Sequence, residues 1–150
     1  MYKKVLVPLD GSPFSECVLE HVQIMAGGCK IPEVKLVFVI ESVNPGMYEV
    51  PGEFIEDMQK AAVAAAEEYL KKTADKLVAQ GVTATWVVLR GIVSEAILDY
   101  AKTNEIDLVI MSTHGRSGVA RWAMGSVADR VARQATVPVM LVSPPGCRIA

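Results

Sequence analysis

Cysteine, net charge and long apolar runs are all scarce in this sequence. Three cysteines, at positions 17, 29 and 147, are too few and too irregularly spaced to indicate a disulfide framework or a zinc site. The 15 basic and 17 acidic residues leave a net charge of -2, which gives no long-range attraction for a polyanion. No apolar run approaches the roughly 20 residues that span a bilayer. We therefore expect neither nucleic acid nor a membrane among the partners.

The length and the amino-terminal sequence are those of an ordinary globular chain. At 150 residues and 51% hydrophobic content, the chain can bury a substantial core, and we expect residues 1–150 to form one domain. Met1 leads within a few residues into the short apolar run at 5–7, without a long apolar signal region or a small-residue cleavage site. These features predict a cytoplasmic protein.

Short apolar runs alternate with helical patterns along the chain. Strands are predicted at residues 4–9, 34–40, 85–89, 108–111 and 139–142. Helices are predicted from Pro13 to a stop at Gly27 and Gly28, over 53–80 with an end at Gly81, from a cap at Ser94, and over 126–135. Because parallel strands need crossover connections, this alternation predicts an α/β protein with an open parallel sheet and helices on both faces.

The helix predicted over 53–80 carries an apolar face. Its members recur at helical spacing: Ile55, Met58, Ala62, Ala65 and Tyr69, followed by Leu70 and Leu77.

Residues 108–126 have the pattern of a phosphate-binding crossover. A buried strand leads into a polar loop with glycines, and Gly125 and Ser126 then precede a helical run of apolar residues. Glycine lets backbone N–H groups approach an anion closely, and a helix N-terminus offers unpaired N–H groups with a favourable dipole. The segment therefore predicts a cradle for phosphate groups.

The spacing within this segment resembles a known family. Ser112, two residues, Gly115, nine residues, Gly125 and Ser126 resemble the ATP-binding loop G-x2-G-x9-G-[ST] of the universal stress protein family. Ser112 stands where the ATP-binding branch of that family has its first glycine. The resemblance extends to residues 4–15, which read K-V-L-V-P-L-D-G-S-x-x-S, and to residues 137–142, which read V-P-V-M-L-V. It therefore spans nearly the whole chain.

The resemblance implies a Rossmann-like, adenine nucleotide-binding sheet of five strands in the order 3-2-1-4-5. The gap between strands 1 and 4 is then the topological switch point, beside which open α/β sheets bind ligands at the carboxyl ends of their strands. Segments 8–12 and 111–126 are expected to meet there. The family also forms homodimers through its last strand, here Val139–Val142, and an apolar edge strand invites such isologous pairing.

The predicted binding residues are Pro8, Asp10, Val39, Met111, Ser112, Gly115, Arg116, Gly125, Ser126 and Val127. By the resemblance, Asp10 accepts hydrogen bonds from adenine or ribose, while an Asx turn is its alternative role. The glycines and Ser126 place donors on the phosphates, or else serve as a flexible loop and an ordinary helix start. Arg116 pairs with phosphate oxygens or remains solvated. Val39, Met111 and Val127 line the pocket or simply belong to the core.

The leading functional interpretation is an ATP-binding universal stress protein, with ATP held with or without Mg²⁺ and at most slowly hydrolysed. It would act as a nucleotide-regulated binding or signalling module in stress adaptation. The sequence lacks a G-x4-G-K-[ST] loop, a general base in the cradle and paired acidic metal ligands, so no catalytic or metal-binding residue is predicted. Two alternatives stay open: a nucleotide-independent dimeric interaction protein and a weak ATP hydrolase. ADP and AMP also remain candidate ligands.

Overall fold

The computed structural model of the chain describes residues 1–42, 46, 49–114 and 124–143, and it contains one parallel sheet. In these described ranges the five strands are β1 (Lys4–Pro8), β2 (Glu33–Ile40), β3 (Ala84–Arg90), β4 (Leu108–Ser112) and β5 (Val139–Val142). Their order across the sheet is β3-β2-β1-β4-β5, and each neighbouring pair is parallel. The predicted strand order and parallel sheet are confirmed.

Helices cover both faces of this sheet. They are α1 (Pro13–Glu16), α2 (Val18–Cys29), α3 (Gly52–Ala79), α4 (Val93–Thr103) and α5 (Ser126–Gln134). Successive side chains of a strand point to opposite faces, so Val5 and Val7 of β1 pack with α2 and α3, while Leu6 packs with α4 and α5. The three residues are fully buried, as expected of a central parallel strand covered on both sides.

The first helical region departs from the prediction in two places, because it divides into α1 and α2 at Cys17 and does not end at the predicted glycines. Ser12 caps α1 by accepting a hydrogen bond from the Ser15 N–H, and Pro13 occupies the first helical position as predicted. Gly27 and Gly28 do not stop the helix, which continues to Cys29 and closes with Lys30 in the left-handed conformation at φ 49. The N–H of Ile31 bonds the Ala26 carbonyl, and Ile31 is buried, which is the hydrophobic closure typical of a Schellman motif.

Two other helix ends were predicted from single residues. Gly81 follows the end of α3 with a φ of 85, which glycine adopts without strain, so that prediction is confirmed. The predicted cap Ser94 is wrong, because α4 begins at Val93, with Ile92 in the cap position, and Ser94 lies buried inside the first turn. In the parts of the chain that the structure describes, no helix is both long and apolar enough to cross a membrane.

Candidate functional site

A cleft with a volume of about 750 Å³ opens at the carboxyl ends of β1, β2 and β4, next to the first turn of α5. Its size lies within the range of small-molecule binding sites. Every predicted binding residue that the structure describes lines it: Pro8, Asp10, Val39, Met111, Ser112, Gly125, Ser126 and Val127. Gly115 and Arg116 lie outside the described residues. The segments after β1 and β4 thus meet at the switch point.

Asp10 lies where the backbone pairing of β1 ends. The Leu9 N–H donates to the Val37 carbonyl at 2.8 Å, and the next amide, that of Asp10, turns away from β2 and donates to Ser15 Oγ at 3.2 Å. The Ser12 N–H donates to Asp10 Oδ1 at 2.9 Å, which makes the Asx turn that the sequence left as the alternative role. Asp10 therefore forms an Asx turn and also lines the cleft.

Gly125 is held against the end of β4. Its N–H donates to the Thr113 carbonyl at 2.7 Å, and a Cβ built on Gly125 would lie 2.8 Å from the same oxygen. The φ of Gly125 is -59, an ordinary value, so the need for glycine comes from this close approach. In this structure the Gly125 N–H is engaged within the protein. The N–H groups available to a ligand are those of the following residues, Ser126 and Val127, since the first N–H groups of a helix have no partner inside it.

Ser112 replaces the glycine of the family pattern with a buried hydroxyl. The residue is 6% exposed, and its Oγ accepts the His114 N–H at 3.3 Å. The hydroxyl thus caps the end of β4 while keeping its own hydrogen available to an acceptor. Thr113 Oγ1 lies 2.8 Å from His114 Nδ1, and within the described residues the buried Nε2 of His114 has no hydrogen-bond partner.

The wall of the cleft that faces the sheet comes from α3, and the sequence did not single it out as part of the site. It consists of Ala62, Ala65, Ala66 and Tyr69. The Tyr69 ring meets Phe38 edge to face, with centroids 6.1 Å apart, and its hydroxyl donates to Glu16 Oε1 at 2.9 Å. Burial first, and then the hydrogen bond to the Glu16 carboxylate, raise the pKa of Tyr69 well above its usual value. The side chain is therefore a neutral donor at physiological pH.

The charges on the described cleft wall are acidic. Asp10 and Glu41 line it, and among the described lining residues there is no lysine or arginine. Favourable potential for an anion comes from the N-terminus of α5, whose dipole and first N–H groups face the cleft at Ser126 and Val127. Within the same described ranges, no group of three or more metal-ligating side chains is present.

An open parallel α/β sheet with a ligand-sized cleft at its topological switch point defines the class of Rossmann-like domains. The sequence model of the universal stress protein family matches residues 1–143. Universal stress protein MJ0531 of Methanocaldococcus jannaschii is 32% identical over 148 residues, which cover 97% of this chain and 84% of that protein. The chain belongs to the universal stress protein family.

Solved structures share the fold. The structure of MJ0577, also from Methanocaldococcus jannaschii, superposes with a TM-score of 0.83 at 28% identity and covers 95% of this chain and 96% of that one. A universal stress protein family protein from Arabidopsis thaliana, solved with AMP bound, has a TM-score of 0.68 at 20% identity, with 94% and 91% covered. At that identity the second likeness is one of fold.

Proposed function

We propose that this chain is an adenine nucleotide-binding universal stress protein, with ATP as its ligand, held with or without Mg²⁺. The observation that carries the proposal is the convergence of Asp10 and the N-terminus of α5 on one cleft. A carboxylate suits the hydroxyls or amino group of a nucleoside, and helix N–H groups suit its phosphates. The nucleoside end would therefore meet the hydrogen-bond acceptor Asp10, and the phosphate end would meet the N–H donors of α5 on the other side of the switch point.

The wall residues suit a planar base. Val39 and Met111 bring apolar surface from β2 and β4, and the alanines of α3 leave room between that helix and the sheet. The Arabidopsis relative holds AMP in a protein of this fold, which supports the ligand class. Because Asp10 and Glu41 repel phosphate, the positive charge for a triphosphate has to come from α5, from a bound cation or from Arg116 in the predicted cradle loop.

The proposed role is that of a binding module rather than a fast hydrolase. A ligand shifts a protein between two states only by the difference in its affinity for them, so the bound nucleotide would act by favouring one conformation or partner. Within the described part of the cleft, no set of acidic metal ligands stands ready for phosphoryl transfer, which relies on positioned cations. Hydrolysis is expected to be slow at most.

The proposed assembly is a homodimer through β5. This strand is an edge of the sheet. On the side that faces β4, the carbonyls of Pro138 and Val142 accept hydrogen bonds from the N–H groups of Val109 and Thr113, both at 3.0 Å. Backbone groups alternate in direction along a parallel strand, so those of Val139 and Leu141 face the open edge. A second copy can pair there about a two-fold axis.

A nucleotide-independent dimer is the second candidate, and Ser112 favours it. A buried serine fills space that glycine would leave open, and the Gly125 N–H is already bonded to Thr113. Ser112→Gly separates the two candidates. If the leading proposal holds, the wild type binds ATP and S112G stays within about threefold of its affinity, because the backbone donors remain. If the second candidate holds, binding appears in S112G alone.

The test of the proposal is calorimetric titration of nucleotide-stripped protein with ATP, ADP, AMP and GTP, each with and without Mg²⁺. Saturable binding of ATP and no binding of GTP is the expected result. Release of inorganic phosphate is followed in the same samples. Turnover well above the rate in buffer would make the weak hydrolase the better description, and absence of binding by any adenine nucleotide would overturn the proposal.

A further inference from the structure

We infer that Ser15 is a positioning residue for the nucleotide site, and that its hydroxyl holds Asp10 in the orientation that faces the ligand. The inference rests on the proposed nucleotide-binding function. Ser15 lies in α1, lines the cleft beside Asp10, and is 5% exposed. Ser15 is the last serine of the K-V-L-V-P-L-D-G-S-x-x-S segment at residues 4–15, which predicted no role for it. A serine three residues after the helix cap Ser12 is a position from which a side chain can reach back.

The Ser15 hydroxyl joins two backbone groups of the turn. It accepts the Asp10 N–H at 3.2 Å and donates to the Ser12 carbonyl at 3.0 Å. Asp10 is thereby held through its backbone by Ser15 and through its carboxylate by the Ser12 N–H. The Asp10 amide is the first beyond the pairing of β1 with β2, so Ser15 Oγ takes the place of the acceptor that a neighbouring strand would supply.

Loss of the hydroxyl would act on Asp10 more than on the helix. In Ser15→Ala the Ser15 N–H can still donate to Ser12 Oγ, and the Ser12 carbonyl still accepts the Glu16 N–H at 3.1 Å. The helix cap therefore survives the substitution. The Asp10 N–H alone loses its described acceptor, and an unpaired N–H favours a backbone shift that exposes it to water.

The chain offers a matched control in Ser94. This serine is also 5% exposed and lies in the first turn of α4, outside the hydrogen bonds of the Asp10 turn. Ser94→Ala removes a buried hydroxyl of the same kind without touching Asp10. Ser15→Thr keeps the hydroxyl and serves as the conservative variant.

The first test is a double-mutant cycle on ATP affinity with the wild type, S15A, D10A and S15A/D10A. We expect S15A to weaken binding by about tenfold in the wild-type background and by less than about twofold in the D10A background, because a residue that acts through Asp10 has nothing left to position. S15T should recover most of the affinity, and S94A should leave it unchanged. Equal losses from S15A in both backgrounds would overturn the inference.

The second test needs no nucleotide, so it separates this inference from the proposed function. Amide hydrogen exchange of the free protein, followed by NMR, should be at least about tenfold faster for Asp10 in S15A than in the wild type, while S94A leaves that amide unchanged. Unchanged exchange at Asp10 in S15A would overturn the inference. If exchange at Asp10 is faster in S15A but the wild type binds no nucleotide, the positioning of Asp10 holds and the proposed ligand is overturned.

Discussion

The amide nitrogen of Gly125 lies 2.7 Å from the carbonyl oxygen of Thr113, and a Cβ on Gly125 would lie 2.8 Å from that oxygen. This contact fixes the start of α5 against the end of β4. The same Thr113 donates its N–H to Val142 of β5 at 3.0 Å. One peptide segment thus connects the edge strand, the end of β4 and the first turn of the helix that faces the cleft.

Gly125→Ala should disturb both stability and nucleotide binding. The new methyl group meets a backbone oxygen that cannot rotate away, so we expect a loss of about 1–3 kcal/mol in the free energy of unfolding and a lower ATP affinity. Denaturant titration and calorimetry measure the two effects.

Gly28→Ala is the control for that variant. Gly28 lies inside α2 with open space around its Cβ position, so alanine should raise stability by about 0.5–1 kcal/mol and leave ATP binding unchanged. If G125A proves as stable as the wild type and binds ATP equally well, the close approach to Thr113 has no part in the site.

Arg116→Gln should weaken ATP more than adenosine. The described cleft wall carries Asp10 and Glu41 without a lysine or arginine, so a triphosphate depends on cations from elsewhere. Removal of a guanidinium that pairs with phosphate should raise the dissociation constant for ATP by about tenfold and leave that for adenosine unchanged. Arg133→Gln is the control, because Arg133 is paired with Asp129 on the outer side of α5. Equal effects on ATP and adenosine would remove Arg116 from the phosphate site.

Tyr69→Phe should change how stability depends on pH. The pKa of Tyr69 is raised above its ordinary value of 10.0, chiefly by burial, so the folded protein keeps a proton that the unfolded chain loses. The contribution of the hydroxyl is present below pH 10 and is lost as the pH rises above it.

At pH 7 we therefore expect Y69F to unfold with about 1 kcal/mol less free energy than the wild type. Above pH 10 the unfolding free energies of Y69F and the wild type should converge. Denaturant titrations across this range measure the difference, and a constant gap up to high pH would contradict the raised pKa of Tyr69.

Met140→Lys should convert the proposed dimer to a monomer. Lysine can keep its aliphatic stem on the core against which Met140 packs while its ammonium group reaches water at the open edge of β5. A charge at that edge blocks pairing with a second strand. Sedimentation velocity measures the mass, and the neutral variant Met140→Gln should remain dimeric. A dimeric M140K with native circular dichroism would place the interface elsewhere.

The sheet and the place of the cleft were predictable because they depend on long, repeated patterns. Alternating apolar runs and helices predicted parallel strands, and the resemblance in the loop after β4 implied the strand order that the structure confirms. The errors fell on single residues at helix ends. Gly27 and Gly28 lie inside α2, which continues to Cys29, and the chain closes there with the Ile31 N–H on the Ala26 carbonyl and Ile31 in the core. Burial of Ile31 is a tertiary contact that local propensity does not contain.

The wall from α3 shows why part of the site escaped prediction. The apolar face predicted on this helix groups several residues into one packing surface: Ile55, Met58, Ala62, Ala65 and Tyr69. In the structure Ile55 is buried, Met58 is 56% exposed, and the alanines and Tyr69 line the cleft. Helical spacing identifies an apolar face but does not say whether a sheet, a ligand or water lies against it. The role of the Ser15 hydroxyl was missed for a related reason, since only the folded turn brings it to the Asp10 N–H and the Ser12 carbonyl.

Binding of an adenine nucleotide in the cleft is tested by a thermal melt of nucleotide-stripped protein with and without Mg-ATP, with GTP as the control. A ligand at about 100 times its dissociation constant adds roughly 2.7 kcal/mol to the free energy of unfolding, a shift that is readily measured for a domain of this size. Adenine-selective binding in the cleft predicts a higher melting temperature with ATP and no change with GTP. An unchanged melting temperature at millimolar ATP would contradict it and favour the nucleotide-independent dimer.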